Sequence, residues 1–375
     1  MDPSTQTPFS NRLTVLQEQP YNAEPDTAAL IAHPYTPDEL IYCRNHSPIK
    51  SLDAAAFTVS IGGIVQNALQ FKLEELKRIF PRVEVVAALQ CAGNRRKVMG
   101  ERKKRNVDGV KWNEGVICNV KWAGVSMRQL LLAAGVRTQS GLHLCMGSHV
   151  VACSDDNWFG TSIPLDKAMD EEGDVILAYE MNGRALTPNH GYPFRVVVPG
   201  YTGVRWVKWV DSIIVSERQP DNFYHKRDYK VLPQEVTHSG GWWCKIDPLQ
   251  FNPLNSVVAS VSHRSVPTPS LYIKGYAMAG SSGQVKTVEV SVDTGRTWHK
   301  ADITYQEGRW SWTLWEVSID ISGSLPERVW CRAVDESGAV QPADSDWNLR
   351  GLAYCGYGEK DLTRVEGNVG RDCRL

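Results

Sequence analysis

After about Cys244 the chain becomes a succession of short alternating runs, and this most constrains its fold. Leu271 to Ala277, Val285 to Val292, Trp310 to Val317 and Arg328 to Val334 follow one another with turn signals such as Asp293-Thr294-Gly295 between them. No helical periodicity interrupts them. Short strands at this spacing predict a β-sandwich. The tryptophans at 298, 310, 312, 315 and 330 are then expected to fill core and interface.

Upstream the pattern is mixed. Phe71 to Phe80 has helical spacing and stops at Pro81. Ser126 is placed to cap a helix over Met127 to Ala134, with Gly135 at its C-terminal end. Val85 to Gln90, Val175 to Glu180 and Arg195 to Val198 read as buried strands. A chain of 375 residues is long for one core, so two domains are expected. The division is residues 1–40 as an arm, 41–243 as the mixed domain, 244–366 as the sandwich and 367–375 as a tail.

A net charge of -1 argues against nucleic acid or an anionic membrane as the main partner. Any strong positive field must be local. The nine cysteines are scattered, odd in number and without a C-x-x-C, so neither a zinc knuckle nor a disulfide framework is predicted. A reducing compartment fits. The segment Met1 to Thr5 lacks the basic and apolar regions of a secretory signal, and no apolar run approaches the roughly 20 residues needed to span a bilayer. Cys373-Arg374-Leu375 has the small-basic-Leu form of a peroxisomal address, so peroxisome is expected, with cytosol as the alternative.

The chemistry concentrates in Leu89-Gln90-Cys91-Ala92-Gly93-Asn94-Arg95-Arg96. A thiolate binds metal and attacks electrophiles, and neighbouring guanidinium charge favours the thiolate. Taken alone, one cysteine and two arginines read better as a buried cysteine at a strand end with its arginines in solvent. The whole octet, however, resembles the signature of the sulfite oxidase family. Three other blocks share that likeness: Cys43 to Pro48, Asn189 to Gly200, and Gly203 to Trp209. The resemblance runs from about residue 40 to 352. It implies an α+β fold, a mixed α/β sulfite-oxidase-type molybdopterin-binding domain followed by an immunoglobulin-like β-sandwich that serves for homodimerisation.

By the same resemblance, Cys91 ligates the molybdenum of the pterin cofactor. Asn45 and His46 contact the pterin, and His190 and Arg195 meet the cofactor phosphate and pterin. Arg205, Trp206, Val207 and Lys208 form the next pterin-binding run. The acidic pterin contact is Asp155 or Asp156. The chemistry agrees: a metal on two dithiolene sulfurs takes a further soft donor, and a terminal phosphate suits arginine forks and a lysine point charge.

The resemblance also implies that Arg44, Arg96 and Arg350 orient a small oxyanion, with Tyr229 donating to it and Trp112 lining the site. Nitrate reductases of this family usually carry an apolar residue where Arg350 stands and asparagine where Tyr229 stands, so both positions point to sulfite. Against this, Asn222 to His225 and Gly240 to Lys245 look more like nitrate reductase. A residue that is often basic in sulfite oxidases is here Asp108, with Lys103, Lys104 and Arg105 nearby.

The implied reaction is oxidation of sulfite to sulfate by oxygen-atom transfer from Mo(VI). No His-Pro-Gly-Gly haem segment appears, and no G-x-G-x-x-G follows a predicted strand. Neither haem nor FAD is therefore expected. The likeness is to haem-free plant sulfite oxidases, which pass electrons to dioxygen and release hydrogen peroxide. The alternatives are a nitrate reductase molybdenum domain, a dehydrogenase using a separate electron acceptor, and an inactive scaffolding module.

Overall fold

A computed structural model describes residues 10–137, 140–151, 157–238, 240–264, 269–280, 283–321 and 324–363. The chain divides into two compact units: Met1–Asp26, Tyr35–Asn252 and Asp346–Tyr354 form the first, and Thr27–Pro34, Pro253–Ser345 and Cys355–Leu375 the second.

The first unit opens with an antiparallel hairpin of β1 (Leu13–Gln17) and β2 (Asn22–Pro25), where the sequence predicted an arm lying over the surface. All four residues of β2 are buried. The short helix α1 (Thr27–Leu30) belongs to the second unit. Then come β3 (Thr58–Gly63), β4 (Leu69–Lys72), α2 (Leu73–Ile79), β5 (Val83–Gln90), α3 (Arg96–Lys103), β6 (Ile117–Ser126) and α4 (Met127–Ala133). They are followed by β7 (His143–Ser148), β8 (Phe159–Pro164), α5 (Leu165–Met169), β9 (Ile176–Met181), β10 (Arg184–Ala185), β11 (Arg195–Val197) and β12 (Ser212–Ser216). One sheet runs β10-β9-β6-β5, with β11 also on β9; the other runs β4-β3-β12-β7-β8.

Local expectation and tertiary pairing part at two places. Phe71 stays extended because β4 pairs with β3, Phe71 opposite Val59, and the helix starts only at Leu73. It still ends before Pro81, with Phe80 already extended. Ser126 precedes α4 as predicted, but its side chain makes no capping bond. The first helical N–H, that of Met127, instead donates to Val175 O at 2.9 Å.

β5 carries the site loop. Its last four residues, Ala87 to Gln90, are fully buried between neighbours, and the strand delivers Cys91 at its end. The turn that follows is pinned to the segment before β6: Cys91 N–H donates to Val116 O (3.0 Å), Arg95 N–H to Asn113 O (2.6 Å) and Lys97 N–H to Trp112 O (3.0 Å). Residues 346–354, placed with the sandwich by the sequence division, pack in the first unit. The reason is hydrogen bonding: Ala353 N–H donates to Ala92 O (2.9 Å), Asp108 N–H to Leu349 O (2.8 Å) and Trp347 Nε1 to Asn106 O (3.1 Å).

The second unit is all strand from Asn255 onward among its described residues. It holds β13 (Asn255–Arg264), β14 (Ser270–Met278), β15 (Val285–Ser291), β16 (His299–Lys300), β17 (Asp302–Gln306), β18 (Thr313–Asp320), β19 (Arg328–Asp335) and β20 (Gly358–Asp361). Its two sheets, β13-β14-β18-β17 and β16-β15-β19-β20, have the A-B-E-D and C′-C-F-G order of an immunoglobulin-like sandwich. Inward residues of both sheets, among them Ile273, Val288, Trp315 and Val329, share one core. Of the five tryptophans, 310, 312 and 315 are buried; 298 and 330 are half-buried and face Tyr357.

Candidate active site

In the first unit a cavity of about 750 Å³ lies at the end of β5. Cys91 lines it, with Arg44, Asn45 and His46 from the segment after the hairpin. His190, Arg195, Trp206, Val207 and Lys208 come from the loops around β11, and Tyr229 from beyond β12. Ten residues singled out from five stretches of sequence therefore meet at one place. Among the described residues the lining contains three cations, Arg44, Arg195 and Lys208, and no carboxylate.

Cys91 is buried, with its sulfur 3.4 Å from the Gly93 N–H. Among the described residues it is the one sulfur in the lining. Burial pushes the neighbouring thiols Cys43 and Cys118 up to about 11 and about 12, so these remain protonated.

His46 links two groups. Arg44 Nη2 lies 3.0 Å from its Nδ1, and Tyr229 Oη lies 2.8 Å from its Nε2. A guanidinium can only donate, so Nδ1 must accept. Burial, then the charges of Arg44, Lys208, Arg350 and Arg96, hold the imidazole well below its ordinary pKa, and the ring is neutral. Its proton therefore sits on Nε2 and is donated to the Tyr229 oxygen. The Tyr229 hydroxyl hydrogen is left free to point into the cavity. Burial pushes that phenol up to about 12, so it keeps its proton.

Lys208 Nζ donates to Arg44 O (3.1 Å), Asn189 O (2.9 Å) and Asn45 Oδ1. Burial and the Arg195 charge lower it to about 7. Burial also lowers Arg195, whose Nε has no hydrogen-bond partner. His190, held through Nδ1 by Thr187 Oγ1 at 2.7 Å, falls to about 3 through burial and the same two charges. Buried cations, two of them held below their ordinary pKa, around a space whose described residues include no carboxylate describe a site for an anion.

Four of the sequence-selected residues lie behind the lining. Arg96 is folded under the site loop: Nε donates to Arg350 O (2.8 Å) and Nη1 to Val110 O (2.9 Å). A Cβ at Gly109 would come 2.8 Å from its Nη1, and one at Gly93 2.8 Å from its Nη2, so only glycine admits this guanidinium. Arg350 pairs with Asp228, next to Tyr229. Arg205 is fully buried and spends its donors on Leu249 O (3.1 and 2.6 Å), Thr161 and His225. Trp112 is fully buried against Gly93. Arg44, Arg96 and Arg350 thus all act electrostatically on His46, but only Arg44 lines the cavity. Asp155 and Asp156 lie outside the described residues.

The sequence reading also missed Asn22 and Glu24 of β2. Asn22 Oδ1 accepts from Asn45 N–H (2.8 Å) and Arg44 Nη1 (3.3 Å), and Glu24 accepts from Asn113 N–H (2.9 Å), Asn113 Nδ2 (2.7 Å) and Gly115 N–H (3.1 Å). The pattern of the arm gave no signal for these roles beyond two polar residues in a short extended run.

Two family models divide the chain: the oxidoreductase molybdopterin binding domain matches residues 46–224, and the Mo-co oxidoreductase dimerisation domain matches residues 248–364. Sulfite oxidase of Arabidopsis thaliana is 36% identical over 371 residues, covering 93% of each protein. The chain belongs to the sulfite oxidase family. Sulfite oxidase of Gallus gallus is 37% identical over 365 residues, 93% of this chain and 79% of that one. The NADH nitrate reductase of Brassica napus is 36% identical over 367 residues, but the match spans only 40% of it. Among solved structures, the sulfane dehydrogenase SoxCD of Paracoccus pantotrophus superposes with a TM-score of 0.74 at 28% identity, over 96% of this chain and 88% of that one. As a member of the sulfite oxidase family, the chain is a molybdenum oxidoreductase with the sulfite-oxidase-type fold.

The site fits the cofactor of the sulfite oxidase family. A molybdenum on a pterin dithiolene needs one protein thiolate, and Cys91 is the residue that would supply it. An anionic pterin phosphate needs buried cations, and Arg195 with its unsatisfied Nε, Lys208 and the neutral donor His190 would provide this setting.

Proposed function

We propose that the chain oxidises sulfite to sulfate. The observation that carries this reading is the Arg44–His46–Tyr229 chain beside Cys91, backed by the charges of Arg96 and Arg350. A small dianion entering this space beside His46 meets the guanidinium of Arg44 in the wall, with those of Arg96 and Arg350 behind it. The Tyr229 hydroxyl is oriented by His46 to donate to it. These groups hold their geometry before substrate arrives, and preorganised charge of this kind lowers the barrier without reorganisation. Bound through Cys91, the molybdenum cofactor supplies oxygen-atom transfer and takes up the electron pair.

The similarity to the sulfite oxidases of Arabidopsis thaliana and Gallus gallus supports the choice of substrate. Dioxygen is the proposed acceptor, giving hydrogen peroxide, and a homodimer through the second unit is the proposed assembly. The peroxisome is the proposed location, on the tail tripeptide 373–375, which lies outside the described residues. Purified holoenzyme given sulfite should consume oxygen and form one peroxide per sulfate. Reduction of cytochrome c or ferricyanide without oxygen uptake would assign the electrons to a separate acceptor. Reduction of nitrate with no sulfite turnover would overturn the substrate.

A further inference from the structure

A second, open space of about 1020 Å³ adjoins the cavity in the first unit. Arg44, Asn45 and His46 line both, so they form the partition between the enclosed site and this vestibule. Its other walls are Leu16, Gln17 and Pro20 of the N-terminal hairpin, and Gly109, Val110 and Lys111. Among the described residues the lining carries two cations, Arg44 and Lys111, and no carboxylate. A third cation is directly beneath this wall: Arg96 Nη1 donates to Val110 O at 2.9 Å, and a Cβ at Gly109 would come 2.8 Å from it.

Lys111 is exposed, yet its ammonium is not loose. Nζ donates to Asn106 Oδ1 (2.8 Å) and to Val107 O. Both acceptors are neutral, so the group is held in place with its charge uncompensated by them. The three basic residues that the sequence offered as substitutes near Asp108 are absent from the lining of either space. Arg105 lies 3.5 Å from the Trp347 ring centre and donates to Gln234 O at 3.2 Å.

From this placement we infer that Lys111 is the outer capture cation of the enzyme, taking a small dianionic oxyanion in the vestibule and passing it to Arg44. The inference rests on the sulfite reading for the identity of the oxyanion. Fixed positive charge at the mouth of a low-dielectric site raises the local concentration of an anion, and the effect is screened by salt.

The test compares holoenzyme carrying Lys111→Met, Lys111→Arg or Lys300→Met, the last an identical charge change on exposed β16. At low ionic strength Lys111→Met should lower kcat/KM for sulfite on the order of tenfold, mainly through KM, and flatten its salt dependence. Binding of sulfate, measured by titration calorimetry, should weaken in parallel. Lys111→Arg should retain both properties, and Lys300→Met should keep the wild-type salt slope. Unchanged salt dependence and sulfate affinity in Lys111→Met would overturn the vestibule role. A wild-type enzyme that binds sulfate through Lys111 but does not turn over sulfite upholds the vestibule and removes the sulfite reading. Sulfite turnover that ignores Lys111 does the reverse.

Discussion

At the scale of single residues, the site depends on groups whose partners admit one protonation state. Tyr229 is a case: its oxygen accepts from neutral His46, so its hydrogen is available to substrate. Tyr229→Phe leaves the His46 Nε2–H without a buried acceptor, a penalty of about 1–3 kcal/mol, and kcat/KM for sulfite should drop by about ten- to a hundredfold. Arg350 has two roles that mutation can separate. Arg350→Met should cost on the order of 2–4 kcal/mol in kcat/KM, the magnitude seen for other preorganised donors. It should also destabilise the fold, because Asp228 is 5% exposed and loses its ion partner. Adding Asp228→Asn should return the melting temperature without returning the KM. Recovery of KM in the double variant would place Arg350 outside the substrate field.

At the scale of elements, the hairpin β1–β2 is a brace for the site. Asn22 holds Arg44 and the Asn45 backbone, and Glu24 holds the stretch leading from Trp112 into β6. Asn22→Ala removes both bonds at Oδ1 from a fully buried position, worth roughly 1–3 kcal/mol. Thermal stability should fall modestly, while kcat/KM for sulfite falls more than stability alone explains, since Arg44 loses one of its restraints. Equal kcat/KM in wild type and variant would reduce Asn22 to a purely structural residue. Elements also show where local preference yielded: Phe71 has helical spacing, but strand pairing with β3 holds it extended.

At the scale of the whole molecule, buried imidazoles set a pH dependence. His190 and His225 are held near 3 by burial and by neighbouring cations, and His46 is well below its ordinary value. In the unfolded chain each would bind a proton near 6.5. Below that pH the unfolded state therefore carries more protons, and stability must fall as pH drops from about 6.5 toward 3. The slope is up to about 1.4 kcal/mol per pH unit for each group. Urea unfolding followed between these values should show this decline, and His225→Gln should flatten it by about one proton. A flat profile in the wild type would mean that these rings are accessible to protons in the folded state. Lys208, lowered to about 7, acts with the same sign in a higher window, from its ordinary value down to about 7, and an anionic cofactor in the cavity should raise its pKa again.

Much of this was already fixed by local sequence. The period-two runs after Asn255 specify a sandwich because alternation along a strand is a property of the chain itself. The apolar run ending at Leu89 and the composition of residues 89–96 locate the thiol for the same reason, and the blocks around residues 43, 190 and 205 mark their family. Which cations share a space is another matter. Arg96 meets the carbonyl of Arg350 across 254 residues, Arg44 meets Asn22 through a strand that had read as an arm, and Lys111 enters the vestibule wall while Arg105 turns to Trp347. Periodicity has no memory over such separations. Only loop closure and backbone hydrogen bonding in the folded chain decide where each charge comes to rest.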